Sequence, residues 1–127
     1  MSSCVLDASA LLALLNKEDG SEIVLDSLPK SVISTVNLAE VVTRLTLLGM
    51  PEREVRQAIS ILGLETFPFD LEQAYRAGIL VADTQLLGLS LGDRACLALA
   101  LKLQADVLTA DRVWKSLVIG VEVKLIR

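Results

Sequence analysis

The sequence predicts an α/β fold in which a mainly parallel sheet of five strands lies between two layers of helices. The chain has 127 residues, a length typical of one domain. Hydrophobic residues make up 53% of it and aromatic residues only 3%, so the core must consist of Leu, Val, Ile and Ala. Such residues suit parallel strands that helices cover on both faces. Short apolar runs also alternate with segments of helical periodicity, so we predict a single three-layer α/β/α domain over residues 1–127.

The first strand and the first helix are predicted at the N-terminal end. Cys4–Leu6 is a short apolar run without turn residues, which indicates a buried strand. In Ala8–Leu15 the leucines are too closely spaced for the two-residue period of a strand, so this segment is predicted to be helical. Asp7 lies between them, at the carboxyl end of the strand, where ligands bind in open α/β sheets. Asp is also a favoured N-cap, and for Asp7 alone that is the simpler interpretation.

The remaining elements follow in alternation. Four further strands are predicted, at Ser31–Ser34, 64–69, 106–108 and 121–126. Helices are predicted at 21–28, 35–50, 51–62, 71–86 and 91–103, with helical turns over 111–117. Pro68 cannot donate to a neighbouring strand, so the third strand should lie at an edge of the sheet or end there. The last strand alternates apolar with charged residues and should also lie near an edge.

The residue types that are missing exclude several kinds of site. The chain has no histidine, and its two cysteines, Cys4 and Cys96, lack the spacing of a zinc site. A Cys/His zinc site and any mechanism that needs a histidine base are therefore excluded. The cysteines are predicted to be buried thiols in a reducing compartment. The formal net charge of −4 gives no broad attraction to nucleic acid.

Two observations bear on the cellular location. No apolar run approaches the roughly 20 residues that a membrane-spanning helix needs. The first residues lack the basic region of a secretory signal, and Asp7 interrupts what would be its apolar core. We therefore expect a cytoplasmic protein with no membrane partner.

Four acidic residues are predicted to lie at the edge of the sheet where the strands end. Asp7 follows the first strand, Glu40 is in the second turn of the helix after the second strand, and Asp111 follows the fourth strand. The carboxyl ends of parallel strands share one edge, so these three side chains should be close together. Asp93 joins them if its helix, which begins at Ser90, starts over the same edge.

Each of these acids also has a simple structural interpretation. Asp93 fits a capping box with Ser90, and Asp111 can cap a short helix. Glu40 can pair with Arg44 one helical turn later, for a few tenths of a kcal/mol. Singly, these interpretations are as acceptable as a role in a site. Four such coincidences at one edge are less expected.

Clustered carboxylates repel one another unless a cation lies between them. Oxygen ligands without Cys or His favour a hard divalent ion, Mg²⁺ or Mn²⁺, and such a site suits phosphoryl chemistry. Without the ion, at least one of the four acids should have a raised pKa. Three basic residues beside the acids could contact phosphates or be solvated surface charges: Arg94, Arg112 and Lys115.

Four sequence blocks resemble the motifs of PIN-domain proteins: VLDASALLALL, NLAEVV, LSLGDRACLALA and VLTADRVW. They are most similar to those of VapC-type toxins of bacterial toxin–antitoxin pairs, and the resemblance covers nearly the whole chain in order and spacing. It implies a three-layer PIN-like fold and an endoribonuclease that depends on Mg²⁺ or Mn²⁺. It also implies that RNA is the substrate, that a small cognate antitoxin inhibits the protein, and that the protein is a homodimer.

The resemblance also assigns roles to individual residues. Asp7 and Asp93 match the principal metal ligands, and Asp111 matches a direct or water-mediated ligand. Glu40 matches a ligand or a residue that positions the attacking water. Two hydroxyl residues match supporting positions beside the acids: Thr109 and Ser9. The helical hairpin over residues 35–62 is our candidate for the wall of a groove that binds an antitoxin helix.

Two other functions fit less well. A phospho-acceptor receiver domain needs an acidic pair after the first strand, but Asp7 stands alone there. Asp70 would have to be the acceptor, and Lys124 lies inside the last strand rather than after it. A non-catalytic binding module with a PIN fold would not need the four acids, which are all present.

Overall fold

The computed structural model describes residues 4–127, and its centre is a sheet of five parallel strands. The strands are β1 (Cys4–Leu6), β2 (Ser31–Ser34), β3 (Glu65–Phe67), β4 (Asp106–Thr109) and β5 (Val123–Leu125). Their order in the sheet is β3-β2-β1-β4-β5, and each neighbouring pair is parallel. The predicted parallel sheet is confirmed, with β3 and β5 at its edges. All five strands therefore end at the same side, here called the carboxyl edge.

Helices connect the strands and cover both faces of the sheet. They are α1 (Ala8–Leu15), α2 (Ser21–Ser27), α3 (Thr35–Leu47), α4 (Glu52–Ser60), α5 (Leu71–Ile79), α6 (Val81–Thr84) and α7 (Leu91–Leu103). Short 3₁₀ turns lie at Leu28–Lys30, Gln85–Leu87 and Arg112–Ser116. On one face, Val5, Val32 and Val107 pack against α7. On the other face, Leu6 and Ile33 pack with residues of α1 and α3, so the three-layer arrangement is confirmed.

The alternation of strand side chains explains this layering. Successive residues of a strand point to opposite faces, so β1 sends Val5 towards α7 and Leu6 towards α1. Both side chains are fully buried, which stabilises the fold by about 1.5 to 3 kcal/mol each. Because β1 is covered on both faces, Asp7 at its end lies close to the apolar core.

The predicted helix over residues 71–86 is interrupted at Leu80 and ends in a 3₁₀ turn, although Val81–Thr84 is helical as predicted. α5 ends at Ile79, and α6 and a 3₁₀ turn follow before Gly88, whose φ is 68°. Thr84 is fully buried and its Oγ1 donates to the Leu80 carbonyl oxygen at 2.9 Å. A threonine that bonds back to the preceding turn bends a helix, and the segment therefore turns instead of continuing.

Two helices start at the predicted residues but are capped in different ways. Gly20, with φ 92°, is the N-cap of α2, and no side chain of the described residues caps this helix. Asp70 is the N-cap of α5, because its Oδ1 accepts the Gln73 amide at 2.9 Å. The Gln73 side chain turns to the preceding loop, where its Nε2 donates to the Pro68 carbonyl oxygen at 3.1 Å.

Candidate metal centre

Asp7 is the buried end of the candidate site. It follows β1 directly, and only 4% of its surface is exposed. Its Oδ1 accepts hydrogen bonds from Ser9 Oγ at 2.7 Å and from the Ala10 amide at 2.8 Å. Its Oδ2 accepts the hydroxyl of Thr109 at 2.5 Å. Asp7 therefore caps α1, as its simpler interpretation predicted, and it is also fixed from β4.

Ser9 and Thr109 form a hydroxyl network that joins the ends of β1 and β4. Their oxygens are 3.3 Å apart. Ser9 Oγ accepts the Ala110 amide at 2.9 Å, and Thr109 Oγ1 accepts the Asp111 amide at 3.0 Å. The loop after β4 is thus held against Asp7, and this places Asp111 next to the network. Both residues lie where a supporting role requires them.

Asp93 reaches the same edge in the first turn of α7. Its amide donates to Ser90 Oγ at 3.1 Å and its Oδ2 accepts the Ser90 amide at 2.9 Å, which completes the predicted capping box. Oδ1 takes no part in this box. The negative charge of Asp93 is close enough to Asp7 to raise the pKa of Asp7. Asp93 is therefore both a cap of α7 and a neighbour of Asp7.

Glu40 is attached to the start of α7 by a buried asparagine. Asn37 Nδ2 donates to Glu40 Oε1 at 2.8 Å and to the Gly92 carbonyl oxygen at 2.9 Å. The predicted pair of Glu40 with Arg44 does not occur among the ion pairs of residues 4–127. The reason is that Asn37, one turn before Glu40, draws the carboxylate towards α7.

The pKa of Asp7 is raised to about 6, from 3.8. Burial is the largest cause, because the ionised form loses its hydration. Hydrogen bonds from Thr109, Ser9 and the Ala10 amide favour the ionised form and lower the pKa, and the charge of Asp93 raises it by the smallest contribution. The predicted raised pKa is confirmed, but burial rather than repulsion between acids is its main cause.

Cys96, beneath the site in α7, shows how the acids are grouped. Burial raises the pKa of its thiol well above the ordinary range, and the charges of Asp7, Asp93 and Glu40 raise it further. Three of the acids thus act on one fully buried thiol from different elements. Both cysteines are free and buried, as predicted. Cys96 therefore lies under the site as a neutral thiol.

Asp111 is the outermost of the four acids. Its side chain is exposed, and its Oδ1 accepts the Val113 amide at 3.0 Å at the start of the last 3₁₀ turn. Its own amide connects it to Thr109 and through Thr109 to Asp7. Asp111 therefore caps a helical turn, as its simpler interpretation predicted, within reach of the hydroxyl network.

The donors at this edge fit a hard divalent cation held by a few ligands. Within residues 4–127, no three Asp, Glu or Cys side chains are gathered closely enough to hold a metal ion among them. Mg²⁺ does not need such a cage, because it usually binds one or two carboxylates and completes its shell with water and phosphate. Asp7 and Asp93 provide two neighbouring carboxylates, and Asp93 Oδ1 remains outside the capping box. A shell that includes Glu40 and Asp111 directly stays a prediction.

The sequence of residues 4–119 matches the family model of the PIN domain. The chain belongs to the PIN domain family. Solved structures similar to this PIN domain share its fold at low sequence identity. A toxin–antitoxin complex from Klebsiella pneumoniae is 21% identical over 98% of both chains, with a TM-score of 0.77. A DNA-bound VapBC from Salmonella typhimurium is 20% identical over 100% of both chains, with a TM-score of 0.78.

A third similar structure is VapBC-5 from Mycobacterium tuberculosis. It is 23% identical over 100% of this PIN domain and 99% of that chain, with a TM-score of 0.61. None of the curated proteins matches the sequence. Among residues 4–127, no helix combines the length and the apolar character that crossing a membrane requires.

The receiver alternative is contradicted by the PIN family match and by two ion pairs. Lys124 Nζ is 3.1 Å from Asp106 Oδ2, an interaction between β5 and β4. Asp70 Oδ2 accepts a hydrogen bond from Lys102 Nζ at 2.9 Å while Oδ1 caps α5. Neither the lysine nor the aspartate stands where phosphorylation chemistry would need it.

The three basic residues predicted beside the acids separate in the PIN domain. Arg94 is turned away from the acids, because its Nη1 donates to the Ala77 carbonyl oxygen near the end of α5 at 2.8 Å. The side chain joins two helices in this arrangement, which fits neither of its two interpretations, contact with phosphate or solvated surface charge. Arg112 and Lys115 are exposed in the turn after Asp111 and stay candidates.

Two residues beside the acids received no role from the sequence. Asn37 was visible as part of a polar stripe on α3, but Gly92 carried no signal apart from its place next to Asp93. A Cβ atom on Gly92 would lie 2.6 Å from Glu40 Cδ and 2.7 Å from Glu40 Oε1. The carboxylate of Glu40 thus rests against the bare α-carbon of Gly92, a contact that helical spacing on one segment cannot reveal.

Proposed function

We propose that this PIN domain is a VapC-type toxin that cleaves RNA in the cytoplasm as a Mg²⁺- or Mn²⁺-dependent endoribonuclease. The observation that supports this most is the buried Asp7 carboxylate with the Asp93 charge beside it at the carboxyl edge. The membership of the PIN domain family supports a nuclease. The structural relatives include complexes described as toxin–antitoxin, which supports the toxin role.

The residues divide the proposed chemistry between them. A bound divalent ion supplies charge stabilisation for the phosphate and a more acidic water. Asp7 and Asp93 would hold the ion. Ser9 and Thr109 keep the Asp7 carboxylate in one orientation and favour its ionised form against burial.

Glu40 and Asp111 act on the water side of this site. Glu40 keeps Oε1 on the Asn37 amide, and Oε2 orients the attacking water and accepts its proton. As the water oxygen bonds to phosphorus, one P–O ester bond breaks and the leaving ribose oxygen takes a proton from solvent. Asp111 holds its Oδ1 on the Val113 amide, so Oδ2 is the oxygen left to bind a water. Their exposure allows an RNA strand to approach from solvent.

A groove between α3 and α4 supports the proposed antitoxin partner. Its volume is about 610 Å³, and its apolar wall includes Leu38, Val42, Val55 and Ile59. These side chains come from the hairpin that the sequence singled out. An amphipathic antitoxin helix would place its apolar face in this groove.

Val42→Glu places a charge in this apolar groove and should weaken the binding of the antitoxin helix. The variant should therefore remain toxic to cells, and co-expression of the cognate antitoxin should no longer relieve its toxicity.

The decisive experiment is cleavage of purified RNA with Mg²⁺ or Mn²⁺ and with EDTA. Asp7→Asn and Asp93→Asn should each lower cleavage by at least 100-fold, on the order of the loss of a metal ligand or general base. Both variants should keep the far-ultraviolet circular dichroism of the parent. Asp26→Asn, at an exposed carboxylate on α2, is the control and should cleave like the parent. Full cleavage by both site variants contradicts the proposed active site, and cleavage that persists in EDTA contradicts the proposed dependence on a metal ion. If the parent cleaves no RNA, a non-catalytic binding module is favoured.

A further inference from the structure

Glu40 has an exposed side chain, yet its carboxylate is fixed by buried neighbours. Asn37 is only 1% exposed, and its single amide nitrogen binds both Glu40 Oε1 and the backbone of α7. An exposed glutamate at the end of a flexible chain would otherwise sample several rotamers. Because the amide is itself held by the Gly92 carbonyl oxygen, it transmits the position of α7 to Glu40.

Gly92 completes this arrangement from the other side. The two contacts that a Cβ would make there, 2.6 Å to Cδ and 2.7 Å to Oε1 of Glu40, are shorter than real Cβ atoms tolerate, and Oε2 would be closer still. Gly92 is therefore the residue that leaves room for the carboxylate against α7. Asn37 and Gly92 together are here called the Glu40 clamp.

The two oxygens of Glu40 are left in different states by the clamp. Oε1 accepts the Asn37 amide at 2.8 Å. Among residues 4–127, the hydrogen bonds of the structure include none to Oε2. One oxygen is therefore committed to structure and the other is available for a water molecule or an ion.

We propose that Asn37 is a positioning residue that acts through Glu40: its amide bonds Oε1 and the Gly92 carbonyl oxygen together, which holds the carboxylate against the first turn of α7 and leaves Oε2 as the working oxygen. The chemical consequence rests on the proposed nuclease function. Asn37 itself touches neither substrate nor ion. Its substitution should therefore change the rate of the chemical step and the response to the metal ion, and leave RNA binding unchanged.

A second buried amide in the same fold provides a matched control. Gln73 is 2% exposed, and its Nε2 also donates to a backbone carbonyl oxygen, that of Pro68. Like Asn37, it leaves its side-chain oxygen buried without a hydrogen-bond partner among the residues that the structure describes. Gln73 contacts none of the four acids through its amide. Asn37→Leu and Gln73→Leu thus remove comparable structural hydrogen bonds, and only the first removes a bond to Glu40.

The test measures cleavage kinetics and a Mn²⁺ titration of the melting temperature for both variants. Asn37→Leu should lower kcat about 10- to 100-fold, the usual effect of losing a residue that orients a ligand, with KM for RNA unchanged. The Mn²⁺ concentration for half of the melting-temperature rise should increase about tenfold. Gln73→Leu should lower the melting temperature in EDTA by a similar amount and change neither kcat nor the Mn²⁺ midpoint. Equal effects of the two variants on all readouts would reduce Asn37 to a structural residue and overturn the proposal.

A double-mutant cycle tests whether Asn37 acts through Glu40. In a Glu40→Ala background, adding Asn37→Leu should cause no further fall in kcat and no further shift of the Mn²⁺ midpoint. Additive effects contradict the proposal. If Asn37→Leu does not fold, Asn37→Ser replaces it, because serine is too short to reach Glu40 and adds no bulk against Gly92.

The Mn²⁺ titration also separates this inference from the nuclease proposal. If the parent cleaves no RNA but Mn²⁺ raises its melting temperature, the nuclease proposal is overturned. A changed Mn²⁺ midpoint of the melting-temperature titration in Asn37→Leu then still supports the Glu40 clamp. An unchanged midpoint overturns the clamp. A parent whose melting temperature does not respond to Mn²⁺ overturns it as well, because Glu40 then has no ion to serve.

Discussion

Asp7 is a carboxylate in an environment that disfavours its charge. Three donors from Ser9, Ala10 and Thr109 stabilise the ionised form, and the pKa nevertheless lies at about 6 because burial outweighs them. A cation at this position would favour ionisation, so metal binding and protonation compete for the same oxygens. The proposed metal affinity should therefore fall as the pH drops through about 6.

The raised pKa of Asp7 predicts how the stability of the metal-free protein depends on pH. The shift from 3.8 to about 6 corresponds to about 3 kcal/mol at 1.36 kcal/mol per unit. The folded state holds the proton more tightly than the unfolded state, so Asp7 does not lower the free energy of unfolding below about pH 4. Its cost grows as the pH rises towards about 6 and is complete above that. Asp7→Asn should therefore gain stability relative to the parent between pH 4 and pH 7, measured by urea unfolding in EDTA.

Asp70 provides the control of opposite sign for this measurement. The Gln73 amide and then Lys102 lower the pKa of Asp70, so its ionised form stabilises the fold above the unfolded pKa. Asp70→Asn should therefore be less stable than the parent by an amount that is constant above about pH 4 and that shrinks only as the pH falls below about 4. If the difference in the free energy of unfolding between Asp7→Asn and the parent does not change with pH, burial does not raise the pKa of Asp7.

The first turn of α7 combines tasks that are usually spread over a protein. Ser90 and Asp93 cap the helix, Gly92 receives the Glu40 carboxylate, and Arg94 fixes the helix to α5. The two interpretations of Asp93, cap and ligand, are therefore compatible. The charge of Asp93 is the smallest of the causes that shift the pKa of Asp7, so removing it should raise the stability of the metal-free protein only slightly.

This double role of Asp93 can be separated by two variants of the same capping box. Asp93→Asn keeps an oxygen that can accept the Ser90 amide, so the melting temperature in EDTA should change little while the rise caused by Mn²⁺ shrinks. Ser90→Ala removes the other half of the box at a cost of about 1 kcal/mol. It should lower the melting temperature in EDTA by a few degrees and keep the Mn²⁺ rise. Equal loss of the Mn²⁺ rise in both variants would mean that Asp93 serves only as a cap.

Gly92→Ala is expected to disturb the site without disturbing the helix. Alanine is favoured over glycine within a helix by about 1 kcal/mol, but its Cβ would displace the flexible end of Glu40. The variant should therefore melt no lower than the parent and cleave RNA more slowly. In a Glu40→Ala background the same substitution should raise the melting temperature and leave cleavage unchanged. A parent-like rate in the single variant would show that the position of Glu40 does not matter.

The fold as a whole was predictable because its signals are local. The strands Cys4–Leu6 and Ser31–Ser34 have the predicted bounds, since each is a short apolar run between polar residues. The segment over residues 71–86 was mispredicted because the bond of Thr84 and the burial of Leu80 depend on tertiary packing.

The site was predictable only as far as strand ends locate it. Topology brings Asp7, Asp111 and Glu40 to one edge, and these were identified from their places after strands. The hydrogen bond between Asn37 and Gly92 joins residues 55 positions apart, and no periodicity in the sequence predicts it. The direction of Arg94 was missed for the same reason, because its partner Ala77 lies on another helix.

The homodimer that the resemblance to VapC-type toxins implies can be tested at an exposed apolar stripe on α5. Leu71, Tyr75 and Ile79 are 73%, 62% and 69% exposed and are spaced one helical turn apart. Ile79→Glu should convert a micromolar dimer into a monomer in sedimentation velocity, because it places a charge in the apolar contact. Leu47→Glu, at a residue 77% exposed on α3, is the matched control and should stay dimeric. A monomeric parent rules out the dimer, and a dimeric Ile79→Glu moves the interface elsewhere.

The order of the strands has a consequence for how the protein emerges during synthesis. β1 is made first, but it lies at the centre of the sheet, and its partner β4 begins only at Asp106. The bond from Thr109 to Asp7 joins residues 102 positions apart. A ribosome must therefore translate most of the chain before Asp7 acquires the hydroxyl partner that fixes its carboxylate. A nascent chain interrupted before β4 carries Asp7, Glu40 and Asp93 but lacks the assembled site, so the proposed nuclease activity would be withheld until β4 has been made.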